Sequence, residues 1–298
     1  MLSEFGELRC YKQTTIDSEG KLKFFLEKHS TKEGTWGFLS MVEGEIDFIF
    51  LDGSGEELSR SRLNKDNSQL LIPPAAWHKI EPVSSSFSAS LQFYCKPNHY
   101  FNKKYGLGLV HRDLHYIYTT YLSEQKNLNI LDVGCGSGRN LLYFALLGYP
   151  IIGIDANRTA IENIIDISQK ENFSQIETLV QDLNLPLELK KESQQFVFST
   201  VSLQFLQSQR IPSLLNELQQ ATTIGGVHYL VFPIKTELYS LPESFSFLPE
   251  SGELYQFYQN SGWSVIEYKE QVGLLHKQDE SGRPLRGLFG HLFAQKIV

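Results

Sequence analysis

One short segment of the sequence carries three glycines between two apolar runs. Residues 129–133 (NILDV) predict a buried strand, and residues 140–147 predict an apolar helix. Between them, Gly134, Gly136 and Gly138 follow a G-x-G-x-G spacing. Glycine permits positive φ and lets a ligand approach the backbone, and the next helix begins with unpaired N–H groups. This order predicts a nucleotide-like ligand at the carboxyl edge of a parallel sheet.

The residues around this glycine loop favour one class of ligand over another. A dinucleotide site has the spacing G-x-G-x-x-G, whereas this chain has Arg139 where the third glycine would stand. Asp132 precedes Gly134 by two residues, and its charge would repel a diphosphate but attract an ammonium group. S-adenosylmethionine carries an ammonium and no phosphate. The sequence therefore favours it as cofactor, and a nicotinamide-dependent oxidoreductase is the alternative.

Two further aspartates follow neighbouring strands. Asp155 ends a predicted strand at residues 151–155, where a carboxylate can accept hydrogen bonds from both ribose hydroxyls. Asp182 follows a predicted strand at residues 175–180, where it could accept a hydrogen bond from the adenine amino group. Cys135 is interpreted as a small buried residue of the loop rather than a nucleophile. The predicted cofactor contacts are Tyr105, Arg112, Asp132, Gly134, Cys135, Gly136, Arg139, Asn140, Asp155, Ala156, Asp182, Leu183 and Thr200.

The pattern of the chain predicts two domains, residues 1–97 and 98–298, with residues 96–105 as a linker. The first part reads as short strands broken by turns, without a helical period, which indicates an all-β sandwich or barrel. Its strand candidates are two runs within residues 36–51, then 69–72 and 87–95.

From about residue 112, strands alternate with helices, which predicts an α/β fold with a parallel sheet. Asn157 is the predicted N-cap of one helix. Residues 263–269 and 288–298 predict a closing antiparallel pair. The predicted helices are 112–124, 140–147, 157–169 and 212–221, and the predicted strands also include 195–199 and 227–233.

Composition excludes several classes of protein. A net charge of −7 argues against a general nucleic-acid binder. Three widely spaced cysteines argue against a disulfide framework and fit a reducing compartment. No apolar run approaches the length of a membrane span, and the first residues lack the pattern of a signal peptide. We expect a cytoplasmic protein with a small-molecule substrate and neither nucleic acid nor membrane as partner; a homodimer is possible.

The quoted segments resemble a known family. LDVGCGSGRN, IIGID, QDLN and FSTVSLQFL are similar to class I S-adenosylmethionine-dependent methyltransferases, and more narrowly to the TehB tellurite-resistance methyltransferases. The likeness extends to GELY and GLLH near residues 252 and 273, and the first domain is similar to a cupin-like β-domain. The resemblance implies a Rossmann-like, seven-stranded methyltransferase domain preceded by a small all-β domain, and detoxification of tellurite.

The resemblance also implies the methyl acceptor, a chalcogen oxyanion such as tellurite or selenite. It places acceptor-side residues at His276, Lys277 and Arg286, where Lys277 stands in place of the arginine frequent in relatives. Methyl transfer from a sulfonium needs a lone pair in line with the S–CH₃ bond, and such an oxyanion has one, so positioning supplies much of the acceleration. The alternatives are a small organic thiol or carboxylate acceptor, and a non-catalytic tellurite sensor.

The first domain contains two histidines that could bind a metal. The segment PPAAWH ends in His78 and is similar to a cupin metal strand, and His29 could be a second ligand. Because the usual H-x-H pair and nearby glutamate are missing, we expect no metal here. Trp36, Trp77 and Phe93 are interpreted as core aromatics.

Overall fold

A computed structural model describes residues 7–18, 22–278 and 282–298, without the side chains of 22–23 and 276–278. The chain forms two compact units, Met1–Leu107 and Gly108–Val298. The division lies ten residues beyond the predicted boundary at 97/98, because the helix α2 (Pro97–Tyr105) packs on strands of the first unit. The predicted linker is therefore a helix with buried Tyr100 and Phe101, and it ends at Gly106 in the left-handed conformation.

In the described part of the first unit, eight strands form two antiparallel sheets of four. The sheet orders are β1-β8-β3-β6 and β2-β7-β4-β5. A short helix, α1 (Leu22–Leu26), lies between β1 and β2 and was not predicted. The strands are β1 (Arg9–Asp17), β2 (His29–Ser30), β3 (Trp36–Glu43), β4 (Ile46–Leu51), β5 (Glu57–Leu63), β6 (Gln69–Ile72), β7 (Trp77–Pro82) and β8 (Ser88–Cys95).

The core of the first unit is formed by inward residues of both sheets, among them Leu39, Phe48 and Ile80. This arrangement is a β-sandwich, one of the two all-β forms that the sequence predicts. Strand β5 was missed because it is a polar edge strand whose first four residues are all exposed. Trp77 is 40% exposed, so its assignment to the core is wrong: alternation along β7 turns it outward and its neighbour His78 inward.

In the second unit, the described strands form one seven-stranded sheet in the order β11-β10-β9-β12-β13-β15-β14. The first five are parallel, and β15 is antiparallel to both β13 and β14. The order reverses between β9 and β12, the position where open α/β sheets bind ligands. The strands are β9 (Ile130–Val133), β10 (Ile151–Asp155), β11 (Ile176–Val180), β12 (Gln194–Thr200), β13 (Thr222–Ile234), β14 (Trp263–Gln278) and β15 (Pro284–Lys296).

Helices connect these strands much as the sequence predicts. Asn157 caps α5, since its side chain accepts a hydrogen bond from the N–H of Ala160 at 3.2 Å. The predicted helix 112–124 is shorter: α3 is followed by one π-helical turn at Tyr118–Leu122. The α-helices are α3 (Arg112–Ile117), α4 (Leu141–Leu146), α5 (Arg158–Glu171), α6 (Ile211–Ala221) and α7 (Glu253–Asn260). No described helix has the length and apolar character needed to cross a bilayer.

Candidate active site

The glycine loop follows β9 and joins it to α4. Gly134, Gly136 and Gly138 all have positive φ, of 77°, 52° and 86°. A Cβ on Gly134 would lie 2.4 Å from Cβ of Ser202, and one on Gly138 would lie 2.6 Å from Ile164. No atom lies within 4 Å of the corresponding position on Gly136. Two glycines therefore permit close packing, whereas Gly136 borders open space that a ligand can approach.

Cys135 is buried in this loop, as interpreted from the sequence. A Cβ on Gly153 of the neighbouring strand would lie 3.0 Å from its sulfur, so the thiol packs against bare backbone. Burial raises the pKa of the thiol far above its ordinary value. The thiol is therefore protonated near neutral pH and unsuited to nucleophilic attack.

Asp132 is the most unusual group of the site. Its side chain is 1% exposed, and neither carboxylate oxygen has a hydrogen-bond partner among the described residues. Burial raises the pKa of this carboxyl well above its usual range, although the charge of Arg139 opposes the shift. Burying a carboxylate without a partner is costly, so this group marks a place for a ligand that donates hydrogen bonds.

Asp155 holds the glycine loop in place. One carboxylate oxygen accepts a hydrogen bond from the N–H of Gly136, and the other from the N–H of Asn157, each at 2.8 Å. A carboxylate oxygen has two lone pairs, so each retains one for a ligand. The half-buried carboxylate can thus fix the loop and still accept hydrogen bonds from a vicinal diol.

The remaining predicted adenine-side residues follow β10 and β11. Ala156 is exposed. Asp182 is exposed, and one of its oxygens accepts hydrogen bonds from the backbone and side-chain nitrogens of Asn184, at 2.9 and 3.0 Å. The side chain of Leu183 is buried in the core, so this residue can meet a ligand only through its backbone. Asp182 therefore lies in a turn that its own side chain stabilises. Its second carboxylate oxygen has no partner among the described residues and is available to a ligand.

Asn140 joins three segments beside the loop. Its side-chain oxygen accepts a hydrogen bond from the N–H of His111 at 3.0 Å, and its amide donates to Oγ1 of Thr200 at 3.0 Å. Asn140 is 3% exposed and Thr200 is 9% exposed. Both predicted contacts therefore lie at the site, where Asn140 positions the strand end and the segment entering α3.

A cleft of about 510 Å³ opens at this edge of the sheet. Arg139, Arg112 and Thr200 line it. The guanidinium of Arg139 is half-buried and has no hydrogen-bond or ion-pair partner in the described part of the chain, and burial lowers its pKa. Arg112 is 85% exposed and approaches Asp113 at 3.8 Å. The cleft thus holds one cationic group without an ion-pair partner among the described residues, Arg139, and a second, Arg112, that is exposed and only distantly paired with Asp113. Both can meet an anion.

Two of the other titratable groups of the cleft, Asp113 and His291, are held by hydrogen bonds, whereas the buried Nδ1 of His111 has no partner among the described residues. Asp113 accepts a hydrogen bond from Lys269 at 2.8 Å. His291 lies within hydrogen-bond distance of both Tyr229 and Gln271, at 3.0 Å each. Burial lowers the pKa of His291 to about 4, and that of His111 also to about 4. Both imidazoles are therefore neutral near pH 7.

Two residues of the cleft were not predicted as functional. Gln204 is 1% exposed, and its side-chain oxygen has no described partner. Val201 has φ of 57°, a strained conformation for a β-branched residue of the kind that clusters at functional sites. Neither has a sequence signature. His291 was also missed, although a histidine inside the apolar strand sequence LFGHLFA is a usable signal.

The predicted acceptor residues lie on the hairpin of β14 and β15. The side chains of His276 and Lys277 are outside the described residues, but their backbone continues from Leu274 and Leu275, which line the cleft. Arg286 is exposed and lies directly opposite Leu274 on β15. Paired residues share one face of a hairpin. Arg286 therefore lies on the same face of the hairpin as Leu274, although Arg286 does not line the cleft itself.

Tyr105 belongs to the first unit, whereas the other predicted contacts belong to the second. It lies at the end of α2 in the first unit, where its ring stacks on Phe101 at 6.0 Å between centroids. The described residues give it a packing role within that unit, and its contact with the cofactor stays a prediction.

Comparison with known proteins agrees with this geometry. Residues 93–292 match the family described as "Tellurite resistance protein TehB", and residues 13–91 match a "TehB-like domain". The chain is 36% identical over 295 residues to a "Probable S-adenosyl-L-methionine-dependent methyltransferase TehB" of Haemophilus influenzae, covering 98% of this chain and 99% of that protein. The chain belongs to the TehB family.

The chain is also similar to a solved structure and to a relative with a different name. The crystal structure of TehB from Haemophilus influenzae matches with a TM-score of 0.88 at 34% identity, covering 98% of this chain and 99% of that one. A protein of Eikenella corrodens named "Hemagglutinin 1" is 31% identical over 246 residues, covering 83% of this chain and 79% of that protein. The prediction of a class I methyltransferase fold with an N-terminal β-domain is confirmed.

Membership in the TehB family also decides between the two cofactors. The chain is an S-adenosylmethionine-dependent methyltransferase, not a nicotinamide-dependent oxidoreductase. The site fits this cofactor independently of the comparison, because the unpartnered carboxylate of Asp132 suits an ammonium group and Gly136 borders open space. The names of the relatives leave the methyl acceptor open.

Proposed function

We propose that this chain transfers a methyl group from S-adenosylmethionine to tellurite or selenite in the cleft beside the glycine loop. The family description names tellurite resistance, and the cleft provides the charges that an anionic acceptor needs. The observation that carries the proposal is the unpaired guanidinium of Arg139 in a cleft whose described acidic lining residue, Asp113, is already paired with Lys269.

The cofactor side of the proposal depends on Asp132 and Asp155. The ammonium of the cofactor would supply the hydrogen-bond donors that the two buried oxygens of Asp132 lack. The ribose hydroxyls would donate to the free lone pairs of Asp155, and the adenine amino group to Asp182. Asp132 lies near the end of β9, Asp155 ends β10 and Asp182 follows β11, and these three strands are adjacent in the sheet.

The acceptor side depends on the balance of charge in the cleft. Arg139 and Arg112 can meet the two negative groups that the reaction brings together, the carboxylate of the cofactor and the oxyanion. Asp113 is neutralised by Lys269, and His111 and His291 are uncharged near pH 7, so the described lining carries a positive balance. A planar guanidinium forms paired hydrogen bonds to oxyanions, which suits a tellurite or selenite group.

The chemistry asks little of the protein beyond positioning. Bound S-adenosylmethionine supplies an electrophilic methyl group. The central atom of a tellurite or selenite ion carries the lone pair that accepts it, so no residue has to remove a proton first. The task of the cleft is to orient the oxyanion and exclude competing water, and orientation of this kind can account for about 7–11 kcal/mol of a barrier.

The acceptor can be tested directly with purified protein. Formation of S-adenosylhomocysteine is measured with tellurite, selenite, a panel of small thiols and a panel of carboxylates, and methylated products are identified by mass spectrometry. We expect turnover with an oxyanion and a large loss of turnover in Arg139→Gln. The loss should be smaller in Arg139→Lys, which keeps the positive charge but lacks the paired N–H donors of the guanidinium.

A second variant separates acceptor binding from cofactor binding. His276→Ala is expected to lower turnover while leaving affinity for S-adenosylhomocysteine nearly unchanged. If the protein methylates a thiol or a carboxylate faster than either oxyanion, the acceptor is an organic molecule and the proposal of tellurite or selenite is wrong. A strain that keeps tellurite resistance with Asp132→Ala would instead favour a non-catalytic sensor.

A further inference from the structure

The first unit contains a cavity of about 500 Å³ that the methyltransferase reaction does not use. Residues of β1, α1, β2, β6, β7, β8 and α2 and of the segment 31–35 line it, and all of them belong to the first unit. The volume lies in the range of pockets that bind small molecules. Its lining combines two histidines, three lysines and an aromatic wall, each of which restricts the chemistry of a ligand.

The two histidines form a pair with a defined tautomer. His29 and His78 face each other across β2 and β7, with ring centroids 4.2 Å apart. Nδ1 of His29 lies 2.8 Å from the carbonyl of Glu27, and Nδ1 of His78 lies 2.8 Å from that of Ala76. A carbonyl only accepts, so each Nδ1 carries the hydrogen and each Nε2 presents a lone pair.

These two Nε2 atoms have no hydrogen-bond partner among the described residues. His78 is 4% exposed, and its ring stacks on Phe48 at 5.0 Å, which fixes its orientation. Burial lowers the pKa of His29 and that of His78, the latter to about 4, so both are neutral near pH 7. The pair is thus a fixed acceptor that can receive a hydrogen bond from a hydroxyl group.

The charge of the lining is entirely positive in the part of the chain that is described. Lys12, Lys32 and Lys103 line the cavity, and no described aspartate or glutamate does. Lys103 donates to Oγ1 of Thr35 at 2.9 Å, and Lys12 lies 5.9 Å above the ring of Phe93. Three ammonium groups without a facing carboxylate attract an anion and disfavour a bare cation.

An aromatic wall completes the lining. Phe24 and Phe25 of α1 are in edge contact, with ring centroids 5.4 Å apart, and Phe93 of β8 also lines the cavity. Phe24 is 61% exposed, which leaves a large apolar face beside the charged groups. Aromatic rings pack favourably against other rings in edge and offset arrangements. A ligand with a flat carbon ring would cover this wall.

We propose that the cavity of the N-terminal unit binds a small aromatic hydroxy acid. Its carboxylate lies among the three lysines, its hydroxyl donates to the histidine pair, and its ring packs on the phenylalanines. The site is separate from the methyltransferase cleft and does not depend on which acceptor that cleft takes.

The test uses the full-length protein and isothermal titration calorimetry. The probes are 2-, 3- and 4-hydroxybenzoate, with benzoate lacking the hydroxyl and 4-hydroxybenzamide lacking the charge. We expect at least one hydroxybenzoate to bind, and both truncated probes to bind about tenfold more weakly than it does. Failure of all three hydroxybenzoates to bind would overturn the proposal, as would equally tight binding of benzoate or of 4-hydroxybenzamide.

Variants locate the site. His78→Gln and, as a second variant should that one fold poorly, Lys12→Met with Lys32→Met are each expected to weaken hydroxybenzoate about tenfold and leave S-adenosylhomocysteine affinity unchanged. His99→Gln is the matched control, since His99 belongs to the same unit but does not line the cavity. Unchanged hydroxybenzoate affinity in folded variants of both kinds would place the ligand elsewhere and refute the proposal.

Discussion

Asp47 in the first unit and Asp132 in the second are both buried aspartates, 8% and 1% exposed. Asp47 is paired: Arg62 lies 2.5 Å from one oxygen and Arg60 lies 3.1 Å from the other. Those partners lower the pKa of Asp47, whereas burial without a partner raises that of Asp132. The first carboxylate is satisfied by folding alone. The second has no partner among the described residues. We therefore expect its burial to cost stability in the free protein and to contribute affinity once a ligand is bound.

Replacing each aspartate by asparagine gives the largest contrast. Asp132→Asn should weaken S-adenosylhomocysteine by about 10- to 100-fold, because a hydrogen bond to a charged group contributes about 1.5–3 kcal/mol. The ligand-free variant should melt at the same temperature as the parent or higher. Asp47→Asn should lower the melting temperature and leave the affinity unchanged. Calorimetry measures the affinity and thermal melts measure the stability. If Asp132→Asn were destabilised and kept its normal affinity, the predicted difference between the two aspartates would be wrong.

The two carboxylates should also respond to pH with opposite signs. Asp132 keeps its proton in the folded protein at pH values where the unfolded chain has lost it, so stability of the ligand-free protein falls as pH rises above 3.8 toward the raised pKa. The pairing of Asp47 contributes above pH 3.8 and is lost as pH falls toward the lowered pKa.

Thermal melts at several pH values measure these two stability effects, and proton release on ligand binding tests the raised pKa of Asp132 separately. An ammonium group favours the charged form of Asp132, so S-adenosylhomocysteine should release protons at mildly acidic pH. Titrations in two buffers of different ionisation enthalpy report the number released. Asp132→Asn should abolish the release and Asp47→Asn should not, and release that persists in Asp132→Asn would assign the proton to another group.

A matched pair of glycines gives the smallest effect. Gly34 in the first unit and Gly136 in the second have φ of 63° and 52°, and neither has an atom within 4 Å of an added Cβ. Alanine at either position should cost about 1–2 kcal/mol of folding free energy through the left-handed backbone. Only Gly136→Ala should also weaken S-adenosylhomocysteine. Equal affinity in both variants would show that Gly136 does not border the ligand.

The sequence predicted much of the methyltransferase unit because its signals are local. The glycine loop, the capping Asn157 and the apolar strands each depend on near neighbours in the chain. The polar edge strand β5, the helix at 97–105 and the outward Trp77 depend on which face of the sandwich is covered, which periodicity alone does not give. Gln204 and Val201 became visible only through burial and backbone conformation, since neither residue type marks a site in a sequence.

The insertion of β15 between β13 and β14 has a consequence for biosynthesis. The five parallel strands can pair as soon as β13 leaves the ribosome, whereas β14 emerges before the strand that it must pair with. The wall of the cleft formed by Leu274, Leu275, Phe289 and His291 is therefore assembled after the glycine loop and its aspartates. A nascent chain of this protein can therefore form the glycine loop before the hairpin that completes the cleft.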